Sequence, residues 1–275
     1  MDVDPKWGPR EEIWMHHPSQ RWFSLLRPLA VLCMVFLGSA CQERGEVVHI
    51  FAASSLTEAF TELEQAFEAA HPDTDVRLQF AGSQILRLQI EQGADAHVFA
   101  SANRDHMQIL VASGHVVEMQ PLAGNELVVI VPRSNPSQIQ RFADLPRARR
   151  LVIGNRNVPV GEYALKMLER TTSLGAEFDT QVLSRVVSEE NNVRLVRAKV
   201  ELGEADAAIV YRSDAVASER VKMVSIPAPI NVRADYTMGR VGGSQGRADV
   251  DRWFAFVASP EGQAILSRNG FEVNP

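Results

Sequence analysis

Cysteine is almost missing from this chain: 275 residues contain two, Cys33 and Cys41. Cys33 falls in a segment expected to be removed, which leaves Cys41 without a partner and excludes both a disulfide framework and a cysteine-built metal site. The fold must therefore rest on its core, and a chain of this length with 45% hydrophobic residues is ample for one. A basic excess is also missing. The net charge is −6, which argues against a nucleic-acid partner. Repeats and low-complexity tracts are absent, excluding a solenoid or a disordered chain. No enzyme signature is expected, whether a nucleophile elbow, a phosphate loop or an H-E-x-x-H pair. His49, His71, His97, His106 and His115 are scattered without ligand spacing and read as surface or internally satisfied residues.

A run long enough to cross a bilayer is likewise absent. The most apolar stretch, PLAVLCMVFLG at 28–38, falls short of the roughly 20 residues a span requires. Its length, the flanking Arg21 and Arg27, and the small residues Gly38, Ser39 and Ala40 suit a secretory signal. Residues 1–41 are read as this signal region, and the polar character of 1–14 leaves Met15 as an alternative start. Cys41 follows at once, and with QERGE behind it resembles a bacterial lipoprotein processing site. Gly38 departs from that pattern, so plain cleavage after Ala40 stands beside lipidation of Cys41. Export follows in either case.

What the chain has in abundance is alternation. A buried strand at 47–53 gives way to apolar residues at helical spacing, closed by His71-Pro72. Strand 76–80, helix 83–92, strand 97–101 and helix 103–112 continue the pattern. The strong strand 124–133 is followed by strand 151–154, helix 160–170, strand 182–187, helix 193–203 and strand 206–211. A strand at 236–241 and helices within 248–270 complete the chain. This is α/β with largely parallel sheets. Two prolines around 224–232 mark a return crossing, so the expected division is 46–124 with 228–275 in lobe I, and 125–227 in lobe II. Two crossings suggest a hinged cleft. The basic run Arg147, Arg149 and Arg150 reads as solvated loop.

In FAASSLTEAF (51–60) two serines separate the first strand from its helix. Ser55 and Glu58 have the spacing of a capping box, in which each side chain would satisfy a backbone N–H of the first turn. Similar starts recur: Gly82-Ser83, Pro159-Val160-Gly161, and Asn191-Asn192 before Val193. Ligands of open α/β sheets sit beyond the carboxyl ends of strands. Helix N-termini present unpaired N–H groups and partial positive charge, so several converging starts would suit an anion.

FAASSLTEAF, FAGSQILRLQIEQGADAHVFASAN, LVVIVP, NVPVGEYA and AIVYRSDAVAS, in that order between Val47 and Phe271, resemble the periplasmic molybdate-binding proteins of ABC importers. The resemblance implies a two-lobed class II periplasmic binding-protein fold, each lobe a mostly parallel sheet flanked by helices, with the ligand cleft between lobes. It implies an oxyanion held by the hydroxyls of Ser55, Ser83 and Tyr211 and the backbone N–H groups of Val160 and Val193, with Ser54 in support. Ser55 would then be both cap and ligand donor. Molybdate, or tungstate of nearly the same size, would be cargo; no cofactor is implied. The implied partner is a permease in the inner membrane, and the implied form is a monomer in the periplasm or anchored through Cys41. Two departures stand out: Gly82 replaces a second serine, and Asp95-Ala96-His97 precedes the strand where the family usually has Pro-Ala-Asp.

The chemistry is consistent with such a ligand. A fully deprotonated dianion only accepts hydrogen bonds, so hydroxyls and amides satisfy it. Hydrogenphosphate would bring a proton that meets no acceptor, at a cost of about 1–3 kcal/mol. Sulfate, with shorter bonds, would have to be rejected by cavity size; sulfate or another tetrahedral oxyanion remains the alternative ligand. The alternative class is a serine hydrolase with Ser55 or Ser83 as nucleophile, which needs a histidine within reach.

Overall fold

The computed structural model describes residues 46–273. The expected signal region, Met15, Cys33 and Cys41 lie outside the described residues.

The first half of the fold grows from β1 (Glu46–Ala53), whose residues Ile50–Ala53 are all buried. A single 3-10 turn, Ser54–Leu56, turns the chain into α1 (Thr57–Ala70), which buries Ala59, Phe60, Leu63 and Phe67 along one stripe. β2 (Thr74–Ala81) pairs parallel with β1, Val76 opposite Val48. α2 (Ser83–Glu91) leads to β3 (Val98–Ser101), parallel to β1 on its other side, and α3 (Arg104–Ala112) follows.

β4 (Val116–Pro132) is the strand on which the architecture turns. Residues up to Glu126 pair antiparallel with β9 (Arg233–Val241). From Leu127 onward β4 pairs with β7 (Ala207–Tyr211) and with β8 (Val221–Ser225). Between these strands lie β5 (Leu151–Gly154), α4 (Pro159–Leu168), α5 (Phe178–Leu183), β6 (Val186–Glu190) and α6 (Val193–Glu201). The short α7 (Arg212–Val216) follows β7. The strand order is β2-β1-β3-β9-β4-β7-β5-β6, with β8 also on β4. β1–β3 are joined by parallel pairs, and so are β5–β7. Every antiparallel pair involves β4 or β9.

α8 (Ala248–Ala258) and α9 (Pro260–Arg268) cover the first half. Trp253 on α8 is fully buried with its ring edge-on to Phe60 and Phe67, at 5.9 and 5.3 Å. Edge-to-face pairs at this spacing add to the burial of large apolar rings.

Three local expectations change. The strand expected at 182–187 begins at Val186, because Phe178 and Val182, four residues apart and both buried, form the inner face of α5. β4 starts eight residues before the expected 124, and β8 lies in a stretch read only as proline-punctuated. The basic run is not all solvated loop: the N–H groups of Arg149 and Arg150 donate to Asp206 Oδ2, and Arg150 Nη2 donates to Oδ1 at 2.8 Å.

Candidate oxyanion site

The carboxyl ends of β1, β2 and β7 and the starts of α2, α4 and α6 meet around one small cavity. It is lined by Ala53, Ser54 and Ser55 after β1, by Gly82 and Ser83 after β2, and by Ala102 after β3. Val158, Pro159, Val160, Val193 and Tyr211 line the opposite side. All five residues expected to donate to an anion are thus brought together. The space is about 10 Å³, on the scale of one water-sized sphere. No charged side chain lines it.

Each wall is built by a local rule. Pro159 occupies the first helical position of α4, where its missing N–H costs nothing. Gly161 lets that turn press against β5: a Cβ there would collide with the carbonyl oxygens of Gly154 and Asn155. Asn192 caps α6, its side chain accepting from Leu195 N at 3.0 Å. Ser83, Val160 and Val193 all lie in first turns, whose N–H groups have no intrahelical acceptor.

The serine hydroxyls are oriented by what they receive. Ser83 Oγ accepts from the N–H of Ala102 at 3.1 Å, which leaves its own proton free to donate. Ser55 Oγ lies 2.8 Å from the hydroxyl of Tyr236. Burial pushes the Tyr236 and Tyr211 hydroxyls well above their ordinary values, so both remain protonated donors. Either hydroxyl can donate in that pair, and when Tyr236 does so the Ser55 proton is free as well. The Tyr211 hydroxyl is buried at the cavity without a hydrogen-bond partner in the protein.

The capping box does not form. The turn before α1 carries no side-chain cap; Ser55 turns to Tyr236, and Glu58 turns to Arg194, whose Nη1 donates to it at 2.6 Å. A 3-10 entry and the Thr57 Oγ1 bond to Ser54 O, at 2.7 Å, satisfy that corner instead.

Tyr236 was not foreseen as a site residue. A compositional signal was available: the chain has three tyrosines, and all cluster here. Tyr211 lies 6.5 Å from Tyr163 and 5.7 Å from Tyr236, edge-on to both. Asp214 on α7 is also buried. Burial pushes its carboxyl up to about 7, with the Arg197 guanidinium pulling the other way.

Among the described residues no histidine lines the cavity. His97 is buried, stacks on His49 at 5.4 Å, accepts from its N–H at 2.9 Å, and lies 2.9 Å from Arg247 Nη1. Its burial and the Arg247 charge lower its pKa, keeping it neutral, and the unusual Asp95-Ala96-His97 stretch is thereby accommodated. One nucleophile-elbow spacing does occur, contrary to expectation, at Gly242–Gly246. Its Ser244 is fully buried in a 3-10 turn after β9, and its hydroxyl is engaged with the carbonyls of Val241 and His97, at 2.7 and 2.9 Å. That is no strand-to-helix elbow with an exposed hydroxyl. Among the described residues no group of three or more His, Cys, Asp or Glu is placed to hold a metal ion, and no helix is long and apolar enough to cross a membrane.

Two sheet halves sharing β4, with a donor-lined cavity between their strand ends, define a two-lobed solute-binding protein. The chain belongs to the bacterial extracellular solute-binding protein family, whose model matches residues 48–272. It is 34% identical over 225 residues to the molybdate-binding protein ModA of Mycobacterium tuberculosis, covering 81% of this chain and 83% of that one. It is 33% identical over 265 residues to ModA of Escherichia coli, covering 93% and 99%. The periplasmic molybdate-binding protein of Azotobacter vinelandii shares the fold, with a TM-score of 0.72 and 19% identity over 83% of this chain and all of that one.

Proposed function

We propose that this protein is an extracytoplasmic receptor that captures molybdate and delivers it to an ABC permease. The observation that carries this reading is the set of neutral hydroxyls at the cavity: Ser83, which receives the Ala102 N–H and so has its own proton to give, Ser55 paired with the Tyr236 hydroxyl, and the buried Tyr211 hydroxyl with no protein partner. Such a set meets an anion that only accepts. In the proposal Ser55, Ser83 and Tyr211 donate through hydroxyls, and Val160 and Val193 through N–H groups. The helix dipoles of α2, α4 and α6 supply positive potential without a buried Lys or Arg, whose desolvation would be costly. The volume suits a small inorganic anion and no organic solute. Tungstate, of the same charge and nearly the same size, binds equally well.

Capture proceeds by closure of lobe I (46–124 and 228–275) on lobe II (125–227) about the two crossings, and the closed form is the one the permease engages. The receptor acts as a monomer, in the periplasm or tethered through a lipidated Cys41, without nucleic acid. It performs no turnover: the partners of Ser55 and Ser83 are Tyr236 and the Ala102 N–H, so neither serine has a histidine base.

Calorimetric titration of the purified protein with molybdate, tungstate, sulfate and phosphate tests this. Tight one-to-one binding of the first two, lost by tenfold or more in Ser83→Ala (about 1.4 kcal/mol or above), is the expected result. Equal binding of sulfate would retain the receptor and overturn the ligand; silence from all four would overturn the site.

A further inference from the structure

Glu58 lies in the first turn of α1, three residues beyond Ser55, and Arg194 immediately follows Val193 at the start of α6. α1 belongs to the half built on β1–β3, and α6 to the half built on β5–β7. Arg194 Nη1 nevertheless donates to Glu58 Oε1 at 2.6 Å, and Arg197 Nη2 stands 3.7 Å from the same oxygen. Neither Glu58 nor either arginine lines the cavity.

We infer that Glu58, Arg194 and Arg197 form a latch across the cleft that sets the anion's residence time without touching it. This rests on the receptor reading above.

Arg197 is held in place by contacts within its own half. The Arg197 side chain is 8% exposed, its Nη1 donates to the Asp214 carbonyl at 3.2 Å, and its Nε lies 3.1 Å from Glu201 Oε1. Arg197 is therefore ordered within one half, and closure brings the Glu58 carboxylate to it and to Arg194. A contact made in the closed form alone raises the closed population, and apparent affinity follows that population. Neighbouring cross-cleft bonds run from Gln84 Nε2 to Asn191 O, at 2.8 Å, and from Asn103 Nδ2 to Glu162 Oε2, at 3.0 Å. Both have neutral donors, and only the second has a carboxylate acceptor, so the Glu58–Arg194 pair is the cross-cleft contact in which both partners carry charge.

That charge makes the direction of the effect diagnostic. A lone carboxylate this near an anion site repels the ligand, whereas a paired one does not. Glu58 and Arg194 are each about one-third exposed (35% and 34%), so the pair is partly screened by solvent.

Stopped-flow kinetics of molybdate release from wild type, Glu58→Gln, Arg194→Gln and the double variant test the latch. The expected release rate rises about fivefold in Glu58→Gln, on the scale of a partly exposed ion pair. It rises further in Arg194→Gln, which leaves the carboxylate with only the longer 3.7 Å contact to Arg197. The double variant resembles Glu58→Gln, Arg194→Lys recovers part of the loss, and the association rate and the ligand-free melting temperature stay near wild type. Release rates within twofold of wild type, or tighter binding by Glu58→Gln, would overturn the latch while leaving the receptor intact. A wild-type protein that binds none of the four oxyanions would remove the receptor reading and the latch together.

Discussion

The hydroxyls of Ser55 and Tyr236 lie 2.8 Å apart although 181 residues separate them in the chain. Ser55 stands at the turn after β1, and Tyr236 is fully buried within β9. Either hydroxyl can donate in this bond, and in the arrangement where Tyr236 donates the serine proton is left to point into the cavity. The hydroxyl thus acquires a direction from a strand far along the chain.

Tyr236→Phe removes that direction while retaining the ring. Ser55 Oγ then loses a hydrogen bond in a buried place, a loss of about 1 kcal/mol. Titration of the variant with molybdate should show a several-fold weaker dissociation constant with unchanged stoichiometry. Binding indistinguishable from wild type would mean that Ser55 is oriented by something else.

Gly82→Ala probes the cleft itself. The Gly82 backbone (φ −62°, ψ 140°) suits any residue, so glycine is required for space and not for conformation. An added Cβ would stand 2.5 Å from the Gln84 side-chain oxygen, which can move, and 2.6 Å from the Asn191 carbonyl oxygen across the cleft, which is backbone. The expected outcome is at least tenfold weaker oxyanion binding with the ligand-free melting temperature little changed. A large drop in that melting temperature with intact affinity would place the collision inside the resting fold instead. The same contact accounts for the absence of a second serine here: its side chain would have no room.

Asp214→Asn separates one buried carboxyl from the rest of the titration. Its native pKa of about 7 lies above the ordinary 3.8. Between those values the folded chain holds a proton that the unfolded chain releases. The associated stability is therefore complete below about pH 4 and is lost as pH rises through about 7. Relative to the asparagine variant, which cannot ionise, wild type should lose about 1.4 kcal/mol per pH unit across that window. Chemical denaturation of both proteins at pH 5, 6, 7 and 8 measures the difference, and parallel curves would show that the carboxyl is not strained by burial.

Much of the site was legible because it is local. Strand ends that run into helices with Ser, Gly-Ser, Pro-Val or Asn-Asn at their starts are short-range patterns, and the cavity wall is made of them. The apolar alternation of β1 and the helical spacing of Phe60, Leu63 and Phe67 were legible for the same reason. The Ser55–Glu58 capping box was misleading because a local pattern can be outbid by distant partners: Tyr236 takes the serine and Arg194 takes the glutamate. Likewise, Val182 has the same apolar character at the end of a helix as in a strand, and only its packing beside Phe178 decides between them.

The sequence by itself determined the α/β alternation, the expectation of export and the donors offered at each helix start, since each depends on residues within a turn or two of one another. Tertiary structure alone decided that β4 serves both sheet halves, that Tyr236 orients Ser55, that Gly82 must yield space to Asn191, and that Glu58 meets Arg194 across the cleft. Those relationships join groups about 80 to 180 residues apart, or strands from different halves. They depend on how the two halves come to rest against each other, and that is set by the packing of the whole core and not by any spacing along the chain.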